Sequence, residues 1–253
     1  MLAKYPFLQL AASVLVLSLA AWIGARRFRR LREAVAGLSD EFGLVQGATF
    51  TLLGLIIGFS FSMAVSRYDQ RKNYEEEEAN AIGTEYLRAD LLAPAQAAQV
   101  RTLLVQYLDE RILYYTTRDD EELARIGHDT DALQAKMWAV VRDGAAAQPT
   151  PPMALAVSGM NDVINTQGYT QAAWRNRIPL PAWLLMSLIA ICTTVLVGVG
   201  SAKKAGFNLM LLVLPVVLSI AFFLIADIDS PRRGMIRVVP QNLIGLAQSL
   251  RTG

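Results

Sequence analysis

Four stretches of the chain carry no charged residue over lengths that match a bilayer. They are Phe7–Ala25, Phe42–Ser66, Ile178–Ala202 and Phe207–Ala226. A helix of about twenty residues rises about 30 Å, close to the hydrocarbon thickness, so each stretch predicts one transmembrane helix. The spans are placed at about 7–25, 43–66, 181–201 and 207–226. Arg26, Arg27, Arg29, Arg30 and Arg32 follow the first span at once. That is poor ground for a signal-peptide cleavage site, so the first span is read as retained. Trp183 anchors the third span at the interface, and Pro215 inside the fourth predicts a kink.

Between the second and third spans the pattern changes to a helical period with polar positions. No proline follows the second span until Pro94, so Arg67–Leu92 is expected to continue the same helix out of the membrane. Pro94 opens the next helix, whose apolar stripe is Val100, Leu103, Leu104, Tyr107, Leu108, Ile112 and Tyr115. Asp119 and the acids after it predict a helix start that buries Leu123, Ile126, Leu133, Met137, Trp138 and Val141. Ala145–Pro152 is expected as a short linker, with Thr150 and Pro151 as cap and first turn of a helix carrying Met153, Val157, Met160 and Ile164. After Pro240, Leu243, Ile244, Leu246, Ala247 and Leu250 predict a short amphipathic helix lying near the membrane surface. The fold class is therefore an all-α integral membrane protein with four transmembrane helices and an extramembrane helical bundle inserted between spans 2 and 3. Its parts are a hairpin over 1–66, a helical domain over 67–177, a second hairpin over 178–227 and an amphipathic tail over 228–253.

Charge sharpens this picture. Residues 67–177 hold 12 Lys/Arg and 17 Asp/Glu, a net charge of −5, while the remainder carries +7. An acidic domain does not suit nucleic acid, so no nucleic-acid partner is expected. One cysteine, Cys192, and one histidine, His128, leave no thiolate or imidazole cluster for zinc. No catalytic residue, metal or cofactor is assigned, and the chain is read as a non-enzyme. Five arginines after the first span argue that this loop is cytoplasmic. The N-terminus and the 67–177 domain then lie in the periplasm, with the spans in the inner membrane.

The second span has an unusual composition. Gly47, Thr51, Gly54, Gly58 and Ser62 recur every three or four positions on one helix face. Small residues let another helix approach closely in lipid, so this face serves intrachain packing, an oligomer interface or a pore lining. Glu75–Glu78 read mostly as solvated surface, because four successive helical positions point in four directions. Glu85 and Arg88 stand at a spacing that can pair. Gly83 within a helical pattern suggests close packing there.

The stretch Leu53–Ala64, the cluster Arg67-Tyr-Asp-Gln-Arg71 and the run Glu78–Leu92 resemble the bacterial bestrophin-like family, a membrane domain of unknown function. That run holds Glu78, Asn80, Gly83, Glu85, Arg88 and Asp90. The closing Asp227-Ile-Asp229-Ser-Pro231-Arg-Arg-Gly234 is similar to the family's ending. The resemblance implies two spans, a helical insert and two further spans. By distant analogy with bestrophin anion channels it also implies a homo-oligomer, pentameric in that analogy, with the second spans around an axis.

Two functions from different classes follow. In the first, the protein is an oligomeric ion channel embedded in the lipid bilayer, its ion unidentified. Gly54, Gly58 and Ser62 would set the width of the pore, and Ile56, Ile57 or Phe59 would form a dewetting constriction. Glu78, Asn80 and Glu85 would ring the mouth. In the second, the protein is a membrane-anchored sensor or interaction module without transport. Its motive is the absence of charge within the spans, where transporters often place ionisable groups. A third reading, in which Asp227 and Asp229 hold a metal or phosphate beside Arg232 and Arg233, is weaker than a span terminator that caps backbone groups.

Overall fold

The computed structural model describes residues 6–27, 39–201 and 209–252. Arg29, Arg30, Arg32 and the first residues of the fourth span lie outside these. The described residues form eight α-helices: α1 (Pro6–Arg27), α2 (Ser39–Arg88), α3 (Pro94–Thr116), α4 (Asp120–Ala147), α5 (Pro151–Arg175), α6 (Leu180–Ser201), α7 (Met210–Asp229) and α8 (Gln241–Thr252). A single 3-10 turn, Ala89–Leu91, joins α2 to α3. Four segments are long and apolar enough to cross a membrane: Phe7–Arg26, one within Asp40–Leu91, one within Pro151–Ser201, and Leu211–Asp229. The second runs on without a break, as its lack of proline predicts, and α2 reaches 50 residues. At 1.5 Å per residue it is about 75 Å long.

The chain divides into two compact units, Met1–Ser66 with Arg177–Ile236 and Arg67–Asn176 with Arg237–Gly253. In the first unit α1 packs on α6 and α7. A Cβ on Gly24 would strike the Val195 carbonyl, and one on Gly198 would strike the Ala21 carbonyl. The backbones of α1 and α6 therefore meet through two glycines, the close approach that apolar helices use in lipid. A cluster of Leu17, Leu53, Met186, Ala190, Leu218 and Phe222 forms the apolar centre of this unit. α7 continues through Pro215.

In the second unit the end of α2, α3, α4, α5 and α8 enclose a core that includes Ile82, Leu104, Tyr107, Leu108, Met137 and Met160. Each fully buried side chain of this size contributes about 1.5–3 kcal/mol relative to its exposed state. The helix starts follow their capping residues. The Asp119 carboxylate accepts the backbone N–H groups of Glu121 at 2.9 Å and Glu122 at 3.0 Å. Thr150 accepts the Met153 N–H at 3.4 Å, with Pro151 in the first turn. The linker is shorter than expected, because α4 continues to Ala147 through alanines that favour helix.

The C-terminal helix corrects an expectation. Its apolar face does not lie on a lipid surface: Leu243 and Ala247 are buried in the core of the second unit. The reason is the Glu75 carboxylate, which accepts the N–H groups of Asn242 at 2.9 Å and Leu243 at 3.0 Å, and the Asn242 amide at 2.7 Å. A carboxylate at a helix N-terminus satisfies free N–H groups and opposes the helix dipole. Gly83 belongs to the same docking, since a Cβ there would stand 3.2 Å from Leu246 Cδ1.

Candidate functional site

The face of α2 that carries small residues is open. Gly47, Thr51, Gly54, Gly58 and Ser62 are all exposed. A Cβ built on Gly47, Gly54 or Gly58 meets no atom within 4 Å among the described residues. Leu53, Ser60 and Ala64 are buried on the other side of the helix. Among the described residues intrachain packing therefore does not explain this face, and there Gly24 and Gly198 play that part. The three constriction candidates separate. Ile56 and Ile57 are half-buried against the unit's own apolar core, whereas Phe59 is 64% exposed. At about 100° per residue the same open side of α2 continues as Asp69, Asn73, Glu76 and Asn80, all exposed, with exposed Lys72 at its edge.

The acidic run splits by helical spacing. Glu76 and Glu77 are exposed, but Glu75 and Glu78 are buried three residues apart. Glu78 is fully buried and forms an ion pair with Arg111 Nε. Its other oxygen accepts the Thr170 hydroxyl at 3.1 Å and the Tyr115 hydroxyl at 3.3 Å. The Arg111 guanidinium also lies 4.4 Å from the centre of the Tyr114 ring. Glu78 and Glu85 therefore cannot ring a pore mouth, because both side chains point into the second unit. Of that trio only Asn80 is exposed. Solvated surface holds for half of the acidic run alone.

Arg71, from the aromatic-basic cluster, is buried and donates to the carbonyls of Ala173 and Asn176, both at 3.3 Å, at the end of α5. Arg67 is half-buried. Asp90 pairs with Arg101, whose guanidinium lies 5.3 Å from the Tyr86 ring centre. Glu85 and Arg88 do not form the expected pair. Arg88 instead approaches Asp162 on α5 at 4.0 Å. Glu85 is fully buried, and neither of its oxygens has a hydrogen-bond partner among the described residues. Burial pushes its carboxyl up to about 8, with Arg88 opposing the shift and Asp162 adding to it.

The closing motif is a set of backbone anchors. Asp227 accepts the N–H groups of Met235 at 2.7 Å and Ile236 at 2.8 Å. Asp229 accepts the Ile178 N–H at 3.0 and 3.2 Å, just before α6. Pro231 is buried, and a Cβ on Gly234 would strike the Asp227 carbonyl. Asp227 thus holds the turn after α7, and Asp229 ties the end of α7 to the entry of α6.

Arg111 and Thr170 are among the members of these constellations that escaped the sequence reading. Arg111 had a signal, since it falls on the apolar stripe of α3 between Leu108 and Tyr115. Thr170 had none, because its role rests on the packing of α5 against α2.

Together the four spans and the helical unit define an all-helical, multi-pass membrane protein. A family model described as the Bestrophin-like domain matches residues 11–243, and the chain belongs to that family. It is similar in fold to two crystal structures of a bacterial bestrophin homologue from Klebsiella pneumoniae, each with a point mutation. One is 16% identical with a TM-score of 0.64, covering 98% of both chains. The other is 17% identical with a TM-score of 0.64, covering 97% of both. No curated protein matches the chain.

Proposed function

We propose that the protein is a homo-oligomeric ion channel whose axis is lined by α2. The observation that carries this reading is the open face at Gly47, Thr51, Gly54, Gly58 and Ser62, on an apolar helix whose opposite side is buried. Small residues that meet no neighbour among the described residues suit either a second copy of the chain or a narrow aqueous path. Family membership supports the same reading by analogy with the bestrophin channels. Phe59 is the constriction candidate that keeps an exposed ring. Asp69 and Glu76, set against Lys72, make the polar continuation of the face mildly acidic and favour cations.

Purified full-length protein in liposomes tests this directly. Ion flux above that of empty liposomes is expected, blocked by Gly58→Leu and raised by Phe59→Ala. Flux equal to empty liposomes under several ions and pH values removes the proposal. The charge-free spans favour the second reading, a membrane-anchored sensor or interaction module, and crosslinking separates the two. Homo-oligomers bridged through cysteines placed at 47 and 54 belong to the channel, and a distinct co-purifying protein belongs to the module. The arginines beside the first span favour a bacterial inner membrane with the acidic domain on the periplasmic side. A membrane-impermeant thiol reagent applied to intact cells reads this from a cysteine at exposed Glu121.

A further inference from the structure

Most buried charged side chains of the protein have found donors or acceptors. Arg71 holds carbonyls, Glu75 holds the start of α8, Glu78 and Arg111 hold each other, and Asp227 and Asp229 hold backbone N–H groups. Glu85 is the exception, with 0% exposure and both oxygens unpartnered among the described residues. Leaving a buried carboxyl without a donor is costly, and native proteins keep such a group where something else supplies the partner. Its surroundings suggest what that partner is. A Cβ on Gly159 of α5 would overlap both a Glu85 oxygen and Arg88 Nη1, so the carboxyl and the guanidinium share the notch that glycine leaves. Gly159 and Arg88 are also walls of a cavity of about 420 Å³ between α2 and α5.

The rest of that wall is polar. Asn80, Thr84 and Asn165 bring amides and hydroxyls, and Glu77 and Asp162 bring carboxylates. Tyr169 adds a ring, stacked on Tyr74 with centres 6.0 Å apart. Carboxylates, neutral acceptors and an aromatic face together recognise a cation that carries N–H groups on a short carbon frame. An inorganic ion fits less well, since no group of three or more His, Cys, Asp or Glu side chains among the described residues could hold a metal. The volume lies within the usual range for small-molecule sites.

We infer that the cavity between α2 and α5 binds a small organic cation, an amine or guanidine. Its N–H groups reach Glu85 through the Gly159 notch and Asp162 at the rim, and displace Arg88. The inference stands whether or not α2 lines a pore. It gives the Glu85–Arg88 part of the family signature a role that neither pore lining nor core packing supplies. Two charged neighbours face Glu85, Arg88 from α2 and Asp162 from α5. Because burial favours the protonated form of Glu85 at neutral pH, binding a cation there expels a proton.

Calorimetric titration of the full-length protein in detergent tests this with 1,4-diaminobutane and methylguanidine as probes. Butyrate and potassium chloride serve as controls. At least one probe is expected to saturate with a Kd below about 1 mM. At pH 7, titrations in two buffers of different ionisation enthalpy are expected to reveal a released proton, which shrinks at pH 9. Glu85→Gln is expected to weaken binding by at least about tenfold and to abolish the proton release. Asp162→Asn changes a half-exposed side chain, so it keeps the fold even if the first variant does not. It is expected to weaken binding while keeping the proton release. The inference is overturned if neither probe saturates by about 10 mM, if binding releases no proton, or if butyrate or potassium binds as tightly. It is equally overturned if Asp162→Asn, or a folded Glu85→Gln, binds like the parent.

Discussion

Replacing Arg111 with Met should destabilise the helical unit more than any surface change in it. The substitution keeps most of the aliphatic stem that packs in the core and deletes the guanidinium. Glu78 and Arg111 are 0% and 1% exposed at the side chain, so neither charge can recover solvation in place. The Glu78 carboxylate would keep only the Thr170 and Tyr115 hydroxyls, at 3.1 and 3.3 Å. Breaking one partner of a buried pair costs about 3–5 kcal/mol, and two hydroxyl donors leave the cost near the lower end of that range. For a unit of this size, 3 kcal/mol corresponds to a fall in Tm of about 10–15 °C. Replacing both residues, as Glu78→Gln with Arg111→Met, leaves no buried charge and should return most of the loss. Thermal unfolding of the full chain in detergent measures the sum, and hydrogen exchange at the α3 amides reports the unit itself. A loss below about 1 kcal/mol for the single variant, or a double variant no more stable than the single one, would refute the reasoning.

Four further outcomes are expected. Burial raises the Glu85 carboxyl to about 8 from 4.5, so the folded state holds a proton that the unfolded state has released. Stability then falls as pH rises from about 5 to 8 and levels off above that. Glu85→Gln should remove this slope, so its stability relative to the parent rises between pH 5 and 8. Unfolding curves across pH check it, and a pH-independent difference contradicts it. Gly198→Val puts a side chain against the Ala21 carbonyl and should separate α1 from α6 at a cost of about 1–3 kcal/mol or more. Gly47→Ala meets no atom within 4 Å among the described residues and should leave thermal stability unchanged or raise it by up to about 1 kcal/mol. Asp227→Ala strands the N–H groups of Met235 and Ile236, at a cost of about 1–3 kcal/mol for each that water does not reach. Faster amide exchange at those two positions is the direct readout.

Much of the architecture follows from local pattern. Four charge-free runs of bilayer length read as spans, because a helix satisfies its own backbone groups in lipid. The absence of proline from the second span to Pro94 carried α2 on to Arg88 in one piece. Pro94, Asp119 and Thr150 marked helix starts by chemistry that acts within one turn. The family resemblance, too, was legible in contiguous residues.

The candidate site was not legible in the same way. Glu75, Glu76, Glu77 and Glu78 are identical letters, and only the elements packed against them decide that two are buried and two are wet. Gly47 and Gly198 look alike in an apolar run, yet one meets no atom within 4 Å among the described residues and the other touches a neighbouring backbone. The C-terminal helix has an apolar face that would suit lipid or protein, and the Glu75 carboxylate, 167 residues earlier, chooses protein. Neither oxygen of Glu85 has a hydrogen-bond partner among the described residues, because Gly159, on another helix, leaves a notch and no donor. Hydropathy and capping depend on neighbours along the chain, so sequence contains them. The partner of a charge or of a small residue is set by which helices meet, and that information exists only once the chain has folded.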